Sequence, residues 1–328
     1  MLNERTQPED EPQSTAGNFE MCSTKGDDTS RTILWCAPRA ISTAVAKCLS
    51  FIEDCEVWFE LYSYARAARV EYKYQTQLDI PMEYLGNEEI FQKVKGMIDI
   101  LANTPFEADR LPYGSIKRLL EDSTAKHVFA KDMGMAMTEG YRDYLPKGYR
   151  HTFLIRHPYR ALLSYRKMIY NHFSGLGLFE GDAADENKFD IERDDRFLPS
   201  GYFLKELYDF WRYLQDTNID RNPIVIDADD LLSNPRGVLS AYCHAVGLPY
   251  GDRLLTWDAS TEAFTKMVAP GDRLIMDMVH FYGTAMKSTC FLPPKTMPSR
   301  DELPPDVIRC SDKVVKYYDE MYDRRLKI

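Results

Sequence analysis

Short apolar runs alternate with helical patterns along most of this chain, and this alternation restricts its fold more than any other feature. Five apolar runs have the length of a strand, at residues 32–36, 56–61, 127–131, 151–155 and 223–226. Between them, apolar residues recur at helical spacing, as in Ile90, Val94, Ile98 and Leu101. The sequence therefore predicts an α/β fold in which helices flank a central parallel β-sheet.

The ends of the chain differ in composition. Residues 1–30 are rich in Glu, Asp, Ser, Thr, Gln and Gly and hold few bulky apolar residues, so they are predicted to form a disordered N-terminal tail. No comparable change in composition follows, and we predict a single domain over residues 31–328. Within it, the acidic stretch at residues 181–195 is predicted to be an exposed loop.

Charge and cysteine usage exclude several classes of function. The formal net charge is −10, which argues against a broad surface for nucleic acid or anionic membranes but allows a small basic pocket. The seven cysteines include no CxxC pair, so neither a zinc site nor a disulfide framework is expected. We find no apolar run long enough to span a membrane and no signal peptide, and we expect a cytoplasmic protein.

The first predicted strand is followed by a turn that suits an anion. In ILWCAPRAISTAVAKCL, Arg39 precedes the hydroxyls of Ser42 and Thr43, where a helix begins. Free N–H groups at a helix N-terminus attract anions, and a forked guanidinium matches phosphate or sulfate oxygens. The usual phosphate loop, GxxxxGK[ST], is absent. The alternative is that Ser42 only caps the helix and Arg39 is a solvated turn residue.

A second candidate anion site follows the fourth predicted strand. Arg156 leaves the end of that strand, Pro158 suits the first turn of a helix, and Ser164 lies about two turns further on. Ligands of open parallel sheets bind beyond the carboxyl ends of the strands, so both sites are expected at one edge. The alternative is a surface arginine and a packed serine.

Together, the two stretches resemble the sulfotransferase family. A basic residue followed by hydroxyls three and four positions later matches Arg39, Ser42 and Thr43. An arginine followed by a serine eight residues later matches Arg156 and Ser164, within RHPYRALLS. The separation of the two elements, about 115 residues, is also usual for that family.

The resemblance implies a P-loop NTPase-like sulfotransferase fold and the cofactor 3′-phosphoadenosine 5′-phosphosulfate (PAPS), with no metal. The product is adenosine 3′,5′-bisphosphate (PAP). The implied contacts are Arg39, Ala40, Ile41, Ser42 and Thr43 for the phosphosulfate, and Arg156 and Ser164 for the 3′-phosphate. Many relatives have glycine at the position of Ile41, so this turn departs from the family pattern.

Sulfuryl transfer requires a base for the acceptor hydroxyl and positive charge near the transferred group. Glu60 ends the second predicted strand, where relatives often carry a glutamate, and is our candidate base. Lys131 ends the third and would stabilise the transferred group, and His157 is the alternative base. The structural alternatives are an exposed glutamate, a surface lysine paired with Asp132, and a helix-entry histidine.

Three residues near the C-terminus complete the candidate cofactor site by resemblance to a closing loop in relatives: Lys287, Ser288 and Thr289. The sequence thus predicts a sulfotransferase acting on a hydroxyl of a small-molecule or lipid-like acceptor. A nucleotide kinase of the P-loop type and a non-catalytic nucleotide-binding protein of the same fold are the alternatives. No nucleic-acid partner and no stable membrane insertion are expected, and a homodimer is left open.

Overall fold

The computed structural model describes residues 29–328, so the predicted N-terminal tail lies outside it except for the last two residues of that tail. Within the described range, the strands are β1 (Ser30–Cys36), β2 (Cys55–Phe59), β3 (His127–Met133), β4 (Arg150–Ile155) and β5 (Ile224–Asp227). They form one sheet in the order β2-β3-β1-β4-β5, and every neighbouring pair is parallel. The predicted parallel sheet is confirmed.

The helices of the described range connect and follow these strands. They are α1 (Ser42–Leu49), α2 (Leu61–Thr76), α3 (Glu88–Ala102), α4 (Tyr113–Asp122), α5 (Pro158–Gly175), α6 (Ile191–Asp194), α7 (Leu204–Asp216), α8 (Ala228–Ser233), α9 (Pro235–Val246), α10 (Glu262–Thr265), α11 (Leu274–Asp277), α12 (Val279–Lys287) and α13 (Pro305–Asp323). None of them is both long enough and apolar enough to cross a bilayer.

Helices cover both faces of the sheet. Consecutive residues of a strand point to opposite faces, and Ile33, Leu34 and Trp35 of β1 are all fully buried. Helices α1 and α2 contact β3, α9 contacts β1, and α13 contacts β4 and β5. The fold is therefore an α/β sheet with a core on each side, as the sequence predicts.

The central strands carry an aromatic cluster that contains a neutral histidine. The indole N–H of Trp35 donates to Nδ1 of His151 at 3.0 Å, and Phe210 meets the Trp35 ring edge-on at 5.1 Å between centroids. Burial lowers the pKa of His151 to about 4, so its ring is neutral at pH 7 and Nδ1 can accept this hydrogen bond.

The sheet order places a crevice between β1 and β4. The chain leaves β1 toward β2 on one side of the sheet and leaves β4 toward β5 on the other. Neighbouring strands with diverging connections create a cleft beyond their carboxyl ends. Arg39 follows β1 and Arg156 follows β4, so both arginines lie at this cleft.

The acidic stretch at residues 181–195 is exposed only in part: residues 181–188 are exposed apart from the half-buried Ala183, as the composition predicts, whereas residues 189–195 include buried positions. Phe189 and Ile191 are buried in the core, with 2% and 0% of their surface exposed. The exposed carboxylate of Glu192 pairs with Arg309 of α13 at 2.6 Å. The prediction fails over residues 189–195, because Asp190 and Glu192 pair with Arg309 of α13 while the two apolar side chains anchor this part of the stretch.

Candidate active site

A cavity of about 760 Å³ lies at the carboxyl ends of the strands. Its polar lining includes Arg39, Ser42, Thr43, Glu60, Lys131, Arg156, Arg160 and Ser164. Its apolar lining comes mainly from α3, the later turns of α5, and α12, and includes Ile98, Leu101, Met168, Phe173 and Phe281. The cavity therefore combines a strongly cationic region with an apolar one.

The turn after β1 has a strained backbone. Arg39 and Ile41 adopt left-handed conformations, with φ of 64° and 60°. Glycine adopts this region freely, whereas a β-branched residue there is an outlier. Ile41 thus takes up the backbone that glycine would favour. Ile41 is also the N-cap of α1, which has no side-chain cap, so the alternative in which Ser42 caps the helix is wrong.

The side chain of Arg39 links the two predicted anion subsites. Its Nε donates to Oγ of Ser164 at 3.0 Å, and another guanidinium nitrogen donates to the carbonyl oxygen of Phe281 at 2.7 Å. Arg156 in turn donates to the carbonyl oxygen of Arg39 at 2.7 Å. The residues predicted for the phosphosulfate and for the 3′-phosphate therefore form one contiguous group.

Positive charge in this group exceeds the negative charge that balances it. Burial lowers the pKa of both Arg39 and Arg156, and the nearby charge of Arg156 lowers that of Arg39 further. Asp229 pairs with Arg160 at 2.8 Å but lies 3.8 Å from Nε of Arg156, too far for a hydrogen bond. That buried Nε has no hydrogen-bond partner, and neither do Nε of Arg160 and Oδ1 of Asp229 beside it. An anion in the cavity would supply both the missing charge and the missing acceptor.

Glu60 and Lys131 form a buried ion pair between Oε1 and Nζ, with 3% and 1% of their side chains exposed. Burial opposes the charge on Lys131, but the Glu60 carboxylate outweighs it and raises the pKa of Lys131. Glu60 ends β2 early because its φ of 56° breaks the strand and starts α2. The alternatives of an exposed glutamate and a surface lysine are wrong.

A tyrosine that sequence reasoning missed completes this pair. The hydroxyl of Tyr282 donates to Oε2 of Glu60 at 2.6 Å, and the hydroxyls of Tyr282 and Tyr64 are 2.6 Å apart. Tyr282 lies on α12, 222 residues from Glu60 along the chain. No local motif could reveal a contact at such a separation.

His157, the alternative base, lies outside the cavity lining. Its Nδ1 accepts from the backbone N–H of Tyr159 at 3.3 Å and so caps α5, and its ring packs against Tyr318. Burial lowers its pKa. The structural alternative, a helix-entry residue, describes this histidine, and its position removes it from contact with the cavity.

The three C-terminal candidates are arranged differently from the prediction. Lys287 and Thr289 are exposed and do not line the cavity, whereas Ser288 does. The Ser288 hydroxyl donates to the carbonyl oxygen of Ala285 at 2.7 Å, because it closes the last turn of α12. In this arrangement the segment supplies no cation to the cavity. No cluster of three or more His, Cys, Asp or Glu in residues 29–328 could hold a metal ion.

The fold and the site define an α/β protein with a cationic, partly apolar cavity and a buried carboxylate–ammonium pair. No family model matches the chain. It is 25% identical over 266 residues to branched-chain-amino-acid aminotransferase-like protein 2 of Arabidopsis thaliana. That match covers 80% of this chain and 36% of the relative, so the chain spans about a third of the relative's length.

Two solved structures are similar to this chain. One is the sulfotransferase domain from the curacin biosynthetic pathway, at 14% identity and a TM-score of 0.40, covering 87% of this chain and 97% of that domain. The other is the sulfotransferase domain of the Synechococcus PCC 7002 olefin synthase, at 15% identity and a TM-score of 0.34, with 88% and 96% covered. Likeness at this level carries no argument about function.

Proposed function

We propose that this protein is a sulfotransferase that moves the sulfuryl group from PAPS to a hydroxyl of a small-molecule or lipid-like acceptor. The observation that carries the proposal is the unsatisfied buried Nε of Arg156 beside Arg39, in the same cavity as the Glu60–Lys131 pair. A nucleotide with two anionic groups would supply the hydrogen-bond acceptor and the negative charge that the two arginines lack. The Glu60–Lys131 pair could act on an acceptor hydroxyl.

The cationic region would bind the cofactor at two points. Arg156 and Ser164 would hold the 3′-phosphate, while Arg39 and the start of α1 at Ser42 and Thr43 would hold the phosphosulfate. The present partners of the Arg39 side chain are all neutral, two oxygens and the sulfur of Met168. A charged oxygen is a stronger acceptor than a neutral one, so exchange of these contacts for an anion is favourable. The first N–H groups of α1 add donors that the helix itself does not use.

The ion pair would act on the acceptor. Bound PAPS supplies an activated sulfuryl group. Glu60 would take the proton of the acceptor hydroxyl, and the charge of Lys131 would stabilise negative charge on the transferred group and the leaving phosphate. Both side chains line the cavity and are shielded from bulk water, which strengthens these interactions.

The apolar lining would hold the body of the acceptor. Leu101, Met168, Phe173 and Phe281 all line the cavity. Removing apolar surface from water stabilises a complex by about 25 cal/mol per Å². An acceptor with an apolar body and one hydroxyl near Glu60 would therefore bind favourably.

Thermal unfolding and labelled cofactor test the proposal. PAP is expected to raise the unfolding temperature without magnesium. A larger rise with ATP and magnesium would favour the nucleotide kinase. PAPS labelled in its sulfuryl group is then offered with a panel of apolar alcohols and phenols. Transfer by the wild type and its loss in Glu60→Gln, with PAP binding retained, supports the proposal. PAP binding with no transfer to any acceptor would point to the non-catalytic protein.

A further inference from the structure

Both carboxylate oxygens of Glu60 are engaged, by two groups of different character. Lys131 pairs with Oε1 through a full charge, whereas Tyr282 donates to Oε2 through a neutral hydroxyl at 2.6 Å. All three side chains are buried and line the same cavity. Each carboxylate oxygen can accept about two hydrogen bonds, so an acceptor hydroxyl can still approach.

The hydrogen bonds around Tyr282 have a defined direction. An ionised carboxylate can only accept, so the Tyr282 proton points to Glu60. The 2.6 Å bond between the two phenols must then use the Tyr64 proton, for which the Met278 sulfur, 3.0 Å from the Tyr64 hydroxyl oxygen, is a competing but weaker acceptor. Burial raises the pKa of each tyrosine well above the ordinary value for tyrosine, so both hydroxyls stay protonated and can donate. Such a chain polarises its members and strengthens the last bond.

Resting on the proposed function, we propose that Tyr282, supported by Tyr64, is a positioning residue that holds the Glu60 carboxyl group in both of its charge states. The attraction of Lys131 depends on the negative charge of Glu60 and falls when that charge is neutralised. The Tyr282 hydroxyl can donate to a carboxylate and also, more weakly, to the carbonyl oxygen of a neutral carboxyl group. The tyrosine therefore loses less of its hold on Glu60 than the ion pair does when the carboxylate is protonated.

This division of roles assigns the proton to Oε1. The acceptor oxygen forms its bond to sulfur while its proton moves to Oε1, and Tyr282 continues to donate to Oε2. The bond from sulfur to the phosphate oxygen breaks, and its electron pair leaves with PAP. Once Glu60 is neutral, the charge of Lys131 is free to stabilise the sulfuryl oxygens and the leaving phosphate.

The surroundings of Tyr282 hold it firmly enough for this role. The Phe59 ring packs edge-on against the Tyr282 ring, with 5.2 Å between the ring centroids. Lys47 donates to three carbonyls at the end of α12. Replacing Tyr282 with phenylalanine removes the hydroxyl and keeps these packing contacts.

Kinetics provide the first test. Tyr282→Phe is expected to lower kcat roughly 10- to 100-fold, the effect of one hydrogen bond to a charged group, with the Kd for PAP unchanged. Tyr64→Phe keeps the hydrogen bond from Tyr282 to Glu60, so its kcat is expected to fall by less. The matched control is Tyr149→Phe, because Tyr149 is also buried and its hydroxyl donates to a backbone oxygen away from the cavity, at 2.6 Å from Leu120. An unchanged kcat in Tyr282→Phe, or an equal loss in Tyr149→Phe, overturns the proposal.

Crystal structures with bound PAP provide a test that does not depend on turnover. In Tyr282→Phe, Oε2 of Glu60 is expected to leave its wild-type position or to become disordered, while Oε1 stays paired with Lys131. The same carboxyl position in the variant and the wild type overturns the inference. If the wild type transfers no sulfuryl group to any acceptor, the proposed function fails, and these structures still decide whether Tyr282 positions Glu60.

Discussion

The buried pair of Glu60 and Lys131 makes a strong prediction about stability. With 3% and 1% of their side chains exposed, neither charge has water as a substitute partner. Removing one member of such a pair typically costs roughly 3–5 kcal/mol, because the other charge is left buried and uncompensated. Lys131→Met is therefore expected to lower the free energy of unfolding by about 4 kcal/mol, and the unfolding temperature by roughly 6 °C.

Urea and thermal unfolding of four variants measure this coupling: Lys131→Met, Glu60→Gln, their double variant and a control. The double variant Glu60→Gln/Lys131→Met is expected to recover more than half of the loss of Lys131→Met, since no buried charge is left unpaired. Lys73→Met is the control: its pair with Asp79 is 2.9 Å long but exposed by 59% and 74%, and its loss should leave the unfolding temperature unchanged. A cost below about 1 kcal/mol for Lys131→Met, or a double variant equal to the sum of its singles, would refute the reasoning.

Two further predictions concern the strained turn and a buried carboxyl group. Ile41 has a φ of 60°, so Ile41→Gly is expected to be more stable than Ile41→Ala by about 1 kcal/mol, the reverse of the usual order near a helix; urea unfolding that ranks alanine first would contradict this. Burial raises the pKa of Asp132 to about 6, against about 3.9 in the unfolded chain. The folded protein then binds more protons between these values, so this group lowers the free energy of unfolding by up to about 3 kcal/mol as the pH rises from 4 to 6. Asp132→Asn should remove this contribution to the slope of the free energy of unfolding against pH. The same slope between pH 4 and 6 in the variant and the wild type would count against the prediction.

The sheet could be predicted because its signal is local. Apolar runs such as that of β1 predict buried strands, and the helical spacing from Ile90 to Leu101 matches α3. The end of β2 was predicted wrongly, because the left-handed backbone of Glu60 has no signal in its residue type. The acidic composition of residues 181–195 likewise gave no sign that Phe189 and Ile191 are buried in the core.

The candidate site was predictable only in part. Parallel strands bring their carboxyl ends to one edge, so Glu60 and Lys131 could be expected near each other. The contribution of Tyr282 depends on the packing of α12 against α1 and α5, which is set by distant parts of the chain. The single domain over residues 31–328, the cytoplasmic location and the absence of a nucleic-acid partner stay predictions.

The central claim is that Arg156 belongs to a site for a nucleotide 3′-phosphate. Isothermal titration calorimetry without magnesium, comparing PAP with adenosine 5′-phosphate, tests it most directly. The wild type is expected to bind PAP more tightly than adenosine 5′-phosphate. Arg156→Ala is expected to weaken the binding of PAP by roughly 10- to 100-fold, because one charge-assisted contact is lost, and to leave the binding of adenosine 5′-phosphate almost unchanged. Equal weakening of both nucleotides, or no preference for PAP in the wild type, would contradict the account.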